Sequence, residues 1–519
     1  MTSSVQQFAG IEYGLRRVLV TIAVITATLL EIVDTTIVNV ALPNIQGNFG
    51  VAVDQGAWIV TGYIVANVVV IPLTPWLAAR FGRREYFFAS VIIFTIASLM
   101  CGFAGSFGAL VFWRIVQGLG GGGLISTAQA ILRDTFPADQ QGTAMGIFAM
   151  GVIVGPAIGP LLGGWMTDNL TWRWAFFVNI PVGIASAILV WNYLRNIEKP
   201  TFRKLDWSGL ALLAIGLGAM QYVLDQGQTY DWFDDGNIRL LTFVSAASLI
   251  GFVWWTLRSK IPVVDLHVLR FREVAAGSIL GMVLGVSLYG SVFVLPQYLQ
   301  GSLGFTATMS GQTMLVRALA IMLFTPATAI LAQSGKIDPR ASTAIGFILL
   351  GISNWMLADV TTSNSDFSAF IWPLVISGIG LSQIFVPLSL AVLGGLPTKE
   401  VPAASAFFNL SRQIGGSVAT AVLITFLIRG ISAHQGELAA STTNAQPAVT
   451  AYMTSGAAGG PPGGRDTALS NLGNLVASQA AVQSFADTSR WVAVISILLA
   501  PLVLLMKRPK MHGAPLPVE

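Results

Sequence analysis

Residues Gly151 to Gly164 read GVIVGPAIGPLLGG inside an apolar run. In a water-exposed helix each Gly costs about 1 kcal/mol and each interior Pro about 3 kcal/mol relative to Ala. In lipid a span has no water to satisfy its backbone, so it stays helical, and neighbouring helices re-satisfy the groups that prolines free. Gly151, Gly155, Gly159 and Gly163 recur every four residues and leave one smooth groove for a second helix. The stretch predicts a kinked membrane helix in close contact with another. Generic packing of small residues is the plain alternative to a functional role.

Composition agrees with a lipid solvent. Hydrophobic residues make up 54% of the 519-residue chain and charged residues 10%, against about 25% charged in soluble domains. At about 20 residues per crossing, a dozen or more spans fit. Apolar runs fall at 18–42, 58–79, 86–106, 109–131, 142–166, 175–194, 207–224, 238–257, 275–298, 310–332, 341–359, 369–394, 404–428 and 488–506, which predicts an all-α integral membrane protein with 14 transmembrane helices. The first run is broken by Glu31 and Asp34 and carries no small-residue cleavage site, so no cleavable signal peptide is expected. The single Cys101 excludes an intramolecular disulfide.

With both termini inside, the inner loops hold twenty Lys/Arg and the outer loops five, while Arg114, Arg317 and Arg412 fall within spans. Lys and Arg favour the cytoplasmic side, so both ends, 1–17 and 507–519, are expected in the cytoplasm. The net charge of +4 then needs no nucleic acid. Two outer segments are long. Residues 225–237 carry four Asp and read as a solvated acidic loop. Residues 430–487, rich in Ala, Gly, Ser and Thr, read as a functional or disordered connection.

A charge inside a span costs about 2.5 to 3.5 kcal/mol at the helix centre, so such charges are paired, hydrated or functional. Glu31 and Asp34 lie three residues apart on one helical face, a pair suited to taking up and releasing a proton; a carboxylate bonded to a neighbouring helix is the plainer role. Arg114 supplies the complementary charge with Gln117 on the same face, either to hold and release a carboxylate or as a fixed bridge. Arg317 and Arg412 are further candidates, and Arg412 sits in RQIGG, a loose echo of the Arg114 pattern. Tyr63, Tyr289 and Phe293 are candidates to line an apolar pocket, although most membrane aromatics pack or face lipid. There is no nucleotide-binding GxxxxGK[ST] loop, no His/Cys metal cluster and no GxSxG elbow. No catalytic residue, metal or cofactor is expected.

Several stretches together resemble the fourteen-helix drug:proton antiporters of the major facilitator superfamily. LEIVDTTIVNVALP (30–43) is similar to their first-helix signature, and Arg114, Gln117 and Gly118 to their fourth-helix motif. WRWAFFVNIP (172–181), LDWSG (205–209), 295–300 and IDPR (337–340) resemble further family stretches. Gly151, Gly155, Pro156, Gly159 and Gly164 supply most of the family's antiporter motif, with Gly163 blurring its end. The resemblance implies a six-helix bundle at 18–194, two added helices at 207–257 and a second six-helix bundle at 275–506. It implies proton coupling through Glu31, Asp34 and Arg114, and proton-driven export of lipophilic or amphipathic compounds from a bacterial inner membrane. The long outer segment is most similar to EmrB-type exporter subunits, which implies an EmrA-like periplasmic adaptor and an outer-membrane channel as partners. A metabolite exporter or importer, or a nontransporting membrane scaffold, are the alternatives. One loop departs from the family: PWLAARFGRR (75–84) has Pro75 and Ala79 where Gly and Asp are usual, so a charge lock from that loop to a neighbouring helix is expected to be missing.

Overall fold

In a computed structural model the described residues are 12–51, 53–137, 140–196, 206–259, 262, 264–333, 338–393, 396–397, 400–441, 449–451 and 464–505. Among them all regular structure is helical, with fourteen long segments. These are α1 (Gly14–Phe49), α2 (Trp58–Phe81), α3 (Arg83–Gly102), α4 (Phe107–Thr135), α5 (Gln141–Asn169), α6 (Trp174–Tyr193) and α7 (Trp207–Gln226). They continue with α8 (Gly236–Arg258), α9 (Arg272–Gly301), α10 (Ala307–Gln333), α11 (Pro339–Val360), α12 (Phe367–Leu393), α13 (Val401–Ser441) and α14 (Gly464–Leu499). Twelve are long and apolar enough to cross a membrane; α5 and α9, with 29 and 30 residues, have the length.

The helices pack in two sets. α1 lies against α5 and α6, and α4 against α2 and α3; α9 lies against α13, α12 against α10 and α11, and α14 against α11 and α13. The sets meet along α5 and α10 and where α4 reaches α13. α7 and α8 pair with each other, and α7 also touches α2 and α13. Phe243 and Ile250 of α8 are each 71% exposed, which in an apolar helix marks a face toward lipid. Glycines set the closest approaches. A Cβ at Gly155 would meet Ile32 Cγ2 at 2.7 Å, and one at Gly159 would overlap the Thr36 hydroxyl, so the glycine row of α5 seats against α1. Gly164 is buried in the same helix. On α4, side chains at Gly118 and Gly122 would collide with the Tyr63 and Asn67 carbonyls of α2.

Three expectations are corrected. The segment 430–487 is in large part helical: α13 runs on to Ser441 and α14 starts at Gly464, while 442–448 and 452–463 lie outside the described residues. Its many Ala residues favour helix, and Ala480, Val482 and Phe485 are buried, which a count of large apolar residues overlooked. Asp225 is not in a loop; it belongs to the last turn of α7, and the turn proper is confined to 227–235. The charge lock expected to be missing exists with another partner, because Arg83 pairs with Asp134 of α4. Its neighbour Arg84 lies over the Trp191 ring at 4.3 Å and donates to the Trp191 carbonyl at 2.7 Å.

Candidate functional site

Asp34 and Arg114 meet where α1, α4 and the start of α6 converge. Arg114 Nη1 donates to Asp34 Oδ2 at 2.6 Å, and both residues are fully buried. A buried charge pair needs further hydrogen bonds to offset its desolvation, and they are present. Gln117 Nε2 and Asn179 Nδ2 each donate to Asp34 Oδ1 at 2.8 Å. Arg114 also donates from Nε to the Ile59 carbonyl at 3.0 Å and from Nη1 to Gln117 Oε1 at 2.8 Å. Its guanidinium lies 4.3 Å from the centre of the Tyr63 ring. Asn179 donates in turn to Ser98 Oγ at 3.0 Å, and Ser98 donates to the Phe176 carbonyl at 2.9 Å.

Glu31, one helical turn away, has different company. Asn67 Nδ2 donates to its Oε1 at 2.8 Å, while Oε2 is buried with no hydrogen-bond partner among the described residues. Arg412 of α13 lies within electrostatic reach. The two carboxyls thus share a helix face and no hydrogen-bond partner: Asp34 is saturated, and Glu31 keeps one oxygen available.

Glu31, Tyr63, Arg114 and Arg412 line a cavity of about 160 Å³. Thr36, Asn39, Ile64 and Val152 extend the wall from α1, α2 and α5, and Ser417, Thr420 and Ile424 from α13. Gln221, Leu224, Asp225 and Gln228 close it from α7 and the following turn. The cavity sits toward the α7–α8 turn. Toward the Gly82 turn the two helix sets are bridged instead: Ser405 Oγ and Asn409 Nδ2 of α13 donate to Gln129 Oε1 of α4 at 2.7 and 2.9 Å, and Arg133 donates to the Leu396 carbonyl at 3.1 Å.

The structure therefore brings Asp34, Arg114 and Gln117 together and puts Glu31, Tyr63 and Arg412 on the adjoining cavity. Arg317 is buried on α10 with Nη2 3.5 Å from Met314 Sδ, away from the cavity wall. The side chains of Tyr289, Phe293 and Pro156 lie outside the described residues. Among the described residues no group of three or more His, Cys, Asp or Glu is placed to hold a metal. Asn67 and Asn179 are site residues that no charge marks in the sequence, and Asp225, expected in a solvated loop, lies on the cavity wall. Asn179 had a signal, its place in the family-like stretch 172–181; Asn67 had none.

Comparison with known proteins agrees with this architecture. The Major Facilitator Superfamily description matches residues 24–420. The chain is 36% identical to the multidrug export protein EmrB of Escherichia coli K12 over 84% of its own length and 85% of that protein. It is 34% identical to the fatty acid resistance protein FarB of Neisseria gonorrhoeae over 95% and 97%. Among solved structures, the human organic anion transporter MFSD10 has the same fold at 13% identity, with a TM-score of 0.57 over 93% of this chain and 100% of that one. With an ion pair buried beside a cavity between two helix sets, and with this match over most of its length, the chain belongs to the Major Facilitator Superfamily.

Proposed function

We propose that the protein is a proton-coupled secondary transporter that exports lipophilic or amphipathic toxic compounds by alternating access. The observation that carries this reading is the Asp34–Arg114 ion pair at the edge of the cavity. The similarity to proteins named for multidrug export and for fatty acid resistance supports the direction of transport and the substrate class.

A proton reaching Asp34 adds to the carboxylate and removes its charge. Arg114 keeps its own, since a guanidinium stays protonated, so the pair loses its Coulomb attraction while Gln117, Asn179 and the Ile59 carbonyl still hold the geometry. Differential proton affinity between two states shifts their populations, and movement of α1 and α4 changes the walls of the cavity directly. Glu31 and Arg412, on opposite helix sets and within electrostatic reach of each other, are sensitive to the same movement. In this reading 18–194 and 275–506 are the moving bundles and 207–257 the added pair. The basic loops face the cytoplasm with both termini, the membrane is the bacterial inner membrane, and the cavity, on the side away from those loops, makes this an outward-facing arrangement. An adaptor in the periplasm and an outer-membrane channel would carry the substrate onward.

The test is transport in everted vesicles energised with a proton gradient. Accumulation of a lipophilic dye that collapses with a protonophore is expected. Accumulation that survives the protonophore, or none with any amphipathic probe, overturns the proposal.

A further inference from the structure

The added helix α7 does more than fill space between the helix sets. Its C-terminal end and the turn that follows are fastened to both. Thr61 of α2 donates to Asp225, Gln226 Nε2 donates to Thr61 Oγ1 at 3.3 Å, and the Trp58 and Tyr222 rings lie 5.3 Å apart. On the other side Trp232 Nε1 donates to Gln228 Oε1 at 3.0 Å and to Thr425 Oγ1 of α13 at 3.1 Å. Asp231 and Trp232 take left-handed backbone, with φ of 53° and 54°, which is unfavourable for side chains other than Gly and occurs where surrounding contacts enforce it.

Asp225 is held by this arrangement with its carboxylate on the cavity, where it remains exposed. A carboxylate in the last turn of a helix opposes the helix dipole, so helix stability gives no reason for it. Among the described residues no Lys, Arg or His pairs with it. Of the other charged groups here, Arg114 is paired with Asp34, and Arg412 lies within electrostatic reach of Glu31. Asp225 is a carboxylate without a cationic partner among the described residues, on a cavity whose wall also carries apolar Leu224, Ile64 and Ile424 and Tyr63.

The geometry points to Asp225 as the recognition group for the cationic head of an amphipathic monocation, an amine or onium ion whose apolar body lies along the α1, α2 and α13 walls. This rests on the transport reading above and deepens it. The added helix pair then supplies part of the substrate site. The Thr61 hydroxyl orients the carboxylate, and Gln221 and Gln228 flank it.

The test is equilibrium binding of tetraphenylphosphonium to the full chain in detergent, which needs no proton gradient and so fails or succeeds independently of coupling. The wild type is expected to bind. Asp225→Asn is expected to weaken binding at least tenfold, with unchanged elution and unfolding temperature, and Asp225→Glu to stay within threefold of wild type. If Asp225→Asn does not fold, occupancy is read by labelling a thiol placed by Gln228→Cys in a Cys101→Ala background. Slowing of the labelling by tetraphenylphosphonium supports the site. Equal binding by wild type and Asp225→Asn, equal damage from Asn and Glu, no binding by wild type, or labelling indifferent to the probe overturns it.

Discussion

Asp34 has both oxygens engaged, by Arg114, Gln117 and Asn179, whereas Glu31 has one bonded to Asn67 and one without a partner among the described residues. The two carboxyls are therefore expected to behave differently. Asp34→Asn abolishes titration and leaves Arg114 without its counter-charge, so proton-driven dye uptake in everted vesicles, normalised to membrane protein, is expected to fall at least tenfold; uptake near wild type would remove Asp34 from coupling. Glu31→Gln, which leaves the Arg114 pair intact, is expected to slow uptake without abolishing it. Removing one member of a buried pair leaves an uncompensated charge worth about 3 to 5 kcal/mol. Arg114→Ala is accordingly expected to lower the unfolding temperature more than the charge-free double variant Asp34→Asn/Arg114→Gln, with transport lost in both. An additive double variant would mean the pair is not the energetic unit its geometry suggests. These charges were legible in the sequence because a charge is conspicuous in an apolar run. Asn67 and Asn179 were not, because a neutral amide carries no charge to stand out in an apolar run and reveals its role only through the partner it bonds. Asp225 was misread for the opposite reason: it adjoins three other Asp at the edge of a span, and no local pattern separates the last helical turn from the loop.

At the level of the helix, the glycine row of α5 was legible from spacing alone, but the identity of its partner was not, since any neighbouring helix could have filled the groove. The structure seats it on α1, within one turn of Asp34. The fit tightens along the row. A Cβ at Gly151 would stand 3.4 Å from Ile25 Cγ2, an ordinary contact, whereas at Gly155 it would press on Ile32 and at Gly159 overlap Thr36. Substitutions are therefore expected to be graded. Gly151→Ala should transport as wild type, Gly159→Ala should transport slowly, and Gly159→Leu should reach the membrane but lose or leak transport, because α1, which carries Asp34, cannot move while pushed off α5. The measurement is proton-driven uptake normalised to membrane protein. Equal activity in all three variants would show that the groove is packing without function. Span positions could be read within a few residues for most helices, since twenty apolar residues are hard to mistake, yet their ends could not. The stretches 430–441 and 464–487 are helical through Ala and Leu and too polar to register as membrane spans.

Across the whole molecule, α13 and α14 reach farther than a bilayer requires. The 41 residues of α13 make about 60 Å of helix at about 1.5 Å per residue, twice the roughly 30 Å of hydrocarbon. Both helices pass the α7–α8 turn and are joined there: His434 Nε2 lies 2.9 Å from Asp487 Oδ2, and Ser484 Oγ donates to the Leu427 carbonyl at 2.7 Å. A paired projection of this length is a better surface for a partner than an irregular loop, because its residues lose less entropy on binding. Near the membrane, Val482 and Phe485 pack with Tyr298 and Leu423, so a useful truncation must spare them. Replacing residues 439–475 with a short Gly/Ser linker keeps that cluster and the His434–Asp487 contact. If the projection docks a periplasmic adaptor, this variant is expected to retain proton-driven uptake in everted vesicles within twofold of wild type. Whole cells carrying it should lose resistance to the exported compound, and the truncated protein should no longer co-purify with the adaptor. Unchanged resistance would show that the projection is dispensable. Loss of vesicle transport would place it in the pump's own outer gate, where it would act on the cavity through α13 and its hydrogen bond from Trp232 to Thr425.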